Sequence, residues 1–109
     1  MIEVNILHGL IKDEEYTRQI LPFIKEEYFN DMSHKILYRL VSEYFEKYNT
    51  VPNKEAMRIE LSNVGSVDQG TIDSALQFVE INPEPVHEQW LLDETEKFCQ
   101  DKAIYNAVM

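Results

Sequence analysis

The stretch from Met32 to Tyr48 constrains this chain more than any other. Ile36, Leu37, Leu40, Val41, Tyr44, Phe45 and Tyr48 recur there at steps of one and three. On a helix of 3.6 residues per turn those steps gather into a single wide apolar stripe. Asp31 or Ser33 can cap its N-terminus through a side-chain oxygen. Asn49-Thr50-Val51-Pro52-Asn53 ends it, because Pro52 cannot continue the ladder and pushes Val51 toward extended geometry. Ile36, Leu37, Leu40, Val41, Tyr44 and Phe45 are the expected core.

The rest of the chain also reads as helix. Three glycines and four prolines in 109 residues are too few for an all-β protein built on many tight turns. Ile2, Val4, Ile6 and Leu7 form a short helix, with Gly9 as its expected C-terminal stop. Asp13 caps a second, whose Tyr16 and Ile20 face inward before Pro22. Asn53 caps a fourth, with Ala56, Met57, Leu61 and Val64 inward. Ser66 and Gln69 fit a capping box leading a fifth through Ile72, Ala75, Leu76 and Val79. Asn82-Pro83-Glu84-Pro85 breaks the chain, and a last helix runs from about Val86 to the end. The expected fold is all-α.

Charge and chemistry narrow the function classes. Twenty acidic residues stand against ten basic ones, a formal charge of −10, and residues 51–109 hold eleven acids against four bases. Phosphates would repel such a surface, so no direct duplex DNA binding is expected and protein partners are favoured. The same acidity also serves plain solubility. One cysteine, Cys99, allows no intrachain disulfide and suits a reducing cytoplasm. No run of about 18 apolar residues is present, so no membrane span is expected. The first residues lack the basic region and long apolar stretch of a signal peptide.

No catalytic constellation emerges. His8, His34 and His87 stand apart, without the helical spacing of paired metal ligands, and read as surface or capping residues. Glu14-Glu15 and Glu26-Glu27 are adjacent pairs that diverge on a helix rather than converge in a pocket. Cys99 lies near Glu96 and Asp101, whose charge would raise its pKa. Phosphate-binding glycine loops are absent. The aromatics at helical spacing read as core rather than as a nucleic-acid stacking platform, which would also need a basic groove. No catalytic residue, cofactor or metal site is therefore expected in this chain.

The last helix is the unusual one. Its stripe of Leu91, Thr95, Phe98, Lys102, Tyr105 and Met109 mixes apolar and polar positions, with Trp90, Leu92 and Cys99 to either side. It is either a loosely packed terminal helix or one arm of a helical hairpin docked on another chain. In the second case Trp90, Leu91, Phe98 and Tyr105 would form an apolar interface centre, and Lys102 would pair with an acid of the partner.

The order of features resembles the N-terminal domain of DnaB-type replicative helicases. The matching text is Ile6-Leu7-His8-Gly9-Leu10-Ile11-Lys12-Asp13, then Glu26-Glu27-Tyr28-Phe29, then Ser33-His34-Lys35-Ile36-Leu37 opening the long helix, then Val51-Pro52. Trp90-Leu91-Leu92-Asp93-Glu94-Thr95-Glu96-Lys97-Phe98 and Ala103-Ile104-Tyr105-Asn106-Ala107 are particularly similar to the helicase of T-even-type phages.

The resemblance implies an all-α domain, with a globular helical subdomain at 1–65 and a helical hairpin for assembly at 66–109. It implies a homo-oligomer, either a dimer or one tier of a hexameric ring paired through hairpins. It also implies contact with primase, and with a helicase loader. In the parent enzyme a RecA-like domain follows, using ATP and magnesium for 5′ to 3′ movement on DNA. No ATPase motif lies within this chain, so it is expected to be an excised, non-catalytic domain of the host-cell cytoplasm. A competing expectation, from another function class, is a free-standing acidic phage protein that inhibits a host enzyme as a DNA mimic.

Overall fold

A computed structural model describes residues 2–108. Its helices are α1 (Ile2–Lys12), α2 (Glu14–Ile20), α3 (Met32–Tyr48), α4 (Lys54–Ser62), α5 (Gln69–Glu80) and α6 (Glu88–Val108), with a 3-10 turn at Glu26–Tyr28. The all-α expectation holds, and no strand occurs among the described residues.

Three of the six helix starts follow from their caps. Asp13 accepts from the Tyr16 amide at 3.1 Å, Asp31 from the Ser33 amide at 2.8 Å, and Asn53 from the Ala56 amide at 2.8 Å. Each carboxylate or amide oxygen satisfies a donor that the first helical turn leaves without a partner. Asn49 closes α3 in the left-handed region at φ 58°, where Asn is tolerated better than most residues. At α5 the start differs from expectation. Asp68, not Ser66, occupies the N-cap, its carboxylate accepts from the Thr71 hydroxyl, and Gln69 bonds Asp73.

The core is centred on α1. Ile6, Leu7 and Leu10 are fully buried, and Ile11 nearly so. One side of α1 meets α2 and α6, while α3 packs on it as well and carries α5 and α4 beyond. Gly9 does not stop α1, which continues to Lys12. Its role is close approach, since a Cβ there would lie 2.6 and 2.7 Å from ring atoms of Tyr16.

From α3 the core takes Ile36, Leu37 and Val41, with Leu40 half-buried against it. Tyr44 and Phe45, expected inside, are only half-buried. The stripe is wider than the surface available to cover it. Tyr44 packs on Tyr48, and Phe45 lies beneath the Arg18 guanidinium at 5.0 Å. Arg39 grips Glu26 through two hydrogen bonds of 2.9 and 2.8 Å, tying the 3-10 turn to α3.

The hairpin expected over 66–109 corresponds to α5 and α6, which follow one another along the chain. The main neighbours of α5 are α3 and α4, and those of α6 are α1, α2 and the 3-10 turn, so the two are docked on different helices rather than on one another. Each has its own buried set: Ile72, Ala75 and Val79 on α5, and Leu91, Thr95, Phe98 and Cys99 on α6. The segment 81–87, with Pro83 and Pro85, is non-helical and carries the chain from one to the other.

Candidate docking surfaces on the last helix

The N-terminus of α6 is fixed by His87. Its Nδ1 accepts from the Trp90 amide at 3.4 Å, and its carbonyl accepts from the Leu91 amide at 3.0 Å. This is the capping role expected for that histidine. His8 departs from expectation. It is buried, with its ring stacked on Phe78 at 4.1 Å, and His34 meets the same ring edge-on at 5.6 Å. Burial and the nearby Lys12 hold the His8 pKa below its ordinary value.

The inward stripe of α6 locks it to the globule. Thr95 donates to the Leu91 carbonyl at 2.7 Å. Its single proton is thereby used, so the Tyr16 hydroxyl is the donor in the 2.6 Å bond between the two side chains. Phe98 lies 6.0 Å from Phe29 and 6.4 Å edge-on from Tyr28. The paired aromatics of the loop thus receive α6.

These contacts redistribute the five residues expected at a self-association interface. Leu91 and Phe98 are core residues of this chain, because their face of α6 already has a partner in α1, α2 and the 3-10 turn. Lys102 is half-buried with its ammonium over the Phe98 ring at 5.8 Å, an intrachain cation–π contact. Trp90 and Tyr105 are outside, 43% and 57% exposed. Near the end of the helix Ile104 and Val108 join Tyr105, at 66% and 78% exposure. Those two lie off the stripe of Leu91, Thr95, Phe98, Lys102 and Tyr105, so helical spacing from that stripe does not pick them out. Met109, its last member, lies outside the described residues.

A second feature is a groove of about 600 Å³ between α6 and the end of α2 with the loop that follows it. Ile20, Phe23 and Tyr28 form one wall, and Leu92, Cys99 and Ala103 the other. Phe23 is 70% exposed on its lip. The Cys99 thiol is pushed up by burial, not by the neighbouring acids. No cluster of three His, Cys, Asp or Glu suited to a metal ion occurs among the described residues. Nor is any described helix long and apolar enough to cross a membrane. Five acids, Glu14, Glu26, Glu55, Glu80 and Glu94, are engaged by Arg or Lys of the same chain.

No family model matches the chain. Similarity to one curated protein runs along almost all of it. The chain is similar to a DnaB-like replicative helicase. That relative is from Enterobacteria phage T4 and is 29% identical over 107 residues, 98% of this chain. The chain spans 22% of the relative's length, a share consistent with an N-terminal domain.

Proposed function

We propose that this chain is a non-catalytic N-terminal domain of a phage replicative helicase, acting in ring assembly and primase docking. The carrying observation is the similarity to the T4 helicase across 98% of the chain within 22% of the relative. The exposed apolar end of α6, Ile104, Tyr105 and Val108, supports the assembly half. Large apolar side chains exposed together favour a protein partner. ATP hydrolysis and 5′ to 3′ unwinding belong, in this reading, to a RecA-like domain of the parent, which would hold ATP and magnesium. A loader is a further partner of that parent, and the host cytoplasm is its place of work.

Sedimentation of the chain and of an Ile104→Ser, Tyr105→Ser, Val108→Ser variant tests the assembly half. The variant should be more monomeric with its helix content kept. An unchanged oligomeric state would remove α6 from the assembly surface. Calorimetric titration with primase of the same replication system tests the other half, and absence of heat would sink it.

A further inference from the structure

The groove between α2 and α6 carries an inference of its own. Among the described residues, the charged side chains lining its two apolar walls are Asp93 and Glu96, both acidic. Among the described residues no Lys or Arg lines it. From Gln89 to Ala103 the lining follows α6 for about 21 Å of helix axis, the length of a four-turn helix. Phe23 stands on the lip, 70% exposed, where an incoming apolar side chain would cover it. Gln19, Gln89 and Gln100 complete a polar rim of the kind that surrounds an apolar docking centre.

We infer that this groove docks a basic amphipathic helix of a partner protein. The apolar stripe of that helix would lie along Ile20, Leu92 and Ala103, and its lysines or arginines would flank Asp93 and Glu96. A second copy of this chain is the poorer occupant. The α6 segment carries five acids against two lysines, and the whole chain is at −10, so a copy would bring like charge to the acidic lip. The inference deepens the partner-docking half of the proposed function and rests on it, while leaving the assembly surface at Ile104, Tyr105 and Val108 separate.

The test uses the full chain and two synthetic 18-residue helical peptides that share one leucine stripe, the first with lysines on its polar face and the second with glutamates. A third peptide has the lysine composition in scrambled order. Backbone amide shifts on titration report the site. The lysine peptide should shift amides around Phe23, Cys99 and Ala103, and its affinity should fall as salt is raised. Asp93→Lys with Glu96→Lys should weaken it about tenfold or more. Phe23→Ser, at an exposed loop position, should weaken it as well without loss of helix content.

Equal binding of the glutamate or scrambled peptide overturns the inference, as do shifts confined to other surfaces or an unaffected charge-reversal variant. Groove shifts that grow with protein concentration, with no response to the lysine peptide, overturn it in favour of a second copy. Any of these failures leaves the assembly reading intact if the Ile104, Tyr105 and Val108 variant still loses self-association.

Discussion

The Tyr16 hydroxyl donates to Thr95 Oγ1 across 2.6 Å, joining α2 to α6 over 79 positions of sequence. Both residues are buried, and Thr95 passes its own proton to the Leu91 carbonyl at 2.7 Å. Burial pushes the Tyr16 phenol well above its ordinary pKa, so it stays a donor at any pH where the fold is studied. This relay explains how a helix with polar residues on its inner stripe is held by the chain itself.

The two ends of that bond should respond unequally to substitution. Tyr16→Phe removes a donor but leaves Thr95 bonded to Leu91, and should cost about 1 kcal/mol. Thr95→Val keeps the volume but strands a buried phenol proton, and should cost about 1–3 kcal/mol. Urea unfolding of both variants gives the comparison. A larger loss for Tyr16→Phe would mean that the donor direction is reversed.

Gly9 permits the approach of that same ring. With a Cβ only 2.6 Å from Tyr16 Cε2 and 3.3 Å from Leu91 Cδ2, Gly9→Ala must displace a ring pinned at its far end by Thr95. The expected loss is about 1–3 kcal/mol, despite the better helix propensity of alanine. In a Tyr16→Leu background the penalty should shrink, because the clashing edge is gone. Additive losses in the double variant would show that the two sites are not coupled.

Those two residues also show what the sequence could and could not disclose. Local rules placed α2, α3 and α4, since Asp13, Asp31 and Asn53 act on amides two or three residues away. Gly9 reads as a stop in the sequence because its reason for being small is a ring brought in by tertiary packing. Thr95 made the α6 stripe look ill-suited to burial, because the partner for its hydroxyl lies on α2. The apparent shortage of inward apolar residues then turned Leu91 and Phe98 into interface candidates. The groove was invisible for the same reason, as Ile20 and Phe23 meet Leu92 and Ala103 only in the fold. The signal for the exposed Ile104 and Val108 is that both are large apolar residues off the stripe.

Stability should fall as pH drops below the ordinary histidine range. The native state holds the His8 pKa down, chiefly through burial and then through Lys12. Below about pH 6.5 the unfolded chain therefore binds the proton that the native chain resists, and the equilibrium shifts toward unfolding. Glu26 and Asp31 are also held low, by Arg39 and Ser33 respectively. Their contribution is present above the ordinary carboxylate range and is lost only at lower pH, so the first part of the decline belongs to His8. Urea midpoints between about pH 7.5 and 5 should slope downward for the native chain and flatten for His8→Phe, which keeps a ring on Phe78. An equal slope in both would assign the effect to another group.

Self-association, if it runs through the end of α6, should tighten with salt. Each copy carries a formal charge of −10, and α6 itself bears five acids against two lysines. Bringing two such helices together at low ionic strength works against this charge over a screening length of about 30 Å. At about 0.15 M salt that length falls to about 8 Å, and most of the repulsion between exposed carboxylates is lost. The contact offered by Ile104, Tyr105 and Val108 is apolar and is not weakened by screening. Sedimentation velocity at several salt concentrations should therefore show the mean mass rising with salt. Dissociation on adding salt would instead identify an ionic interface, and Lys97 would be the first residue to substitute, being a largely exposed cation on the same helix.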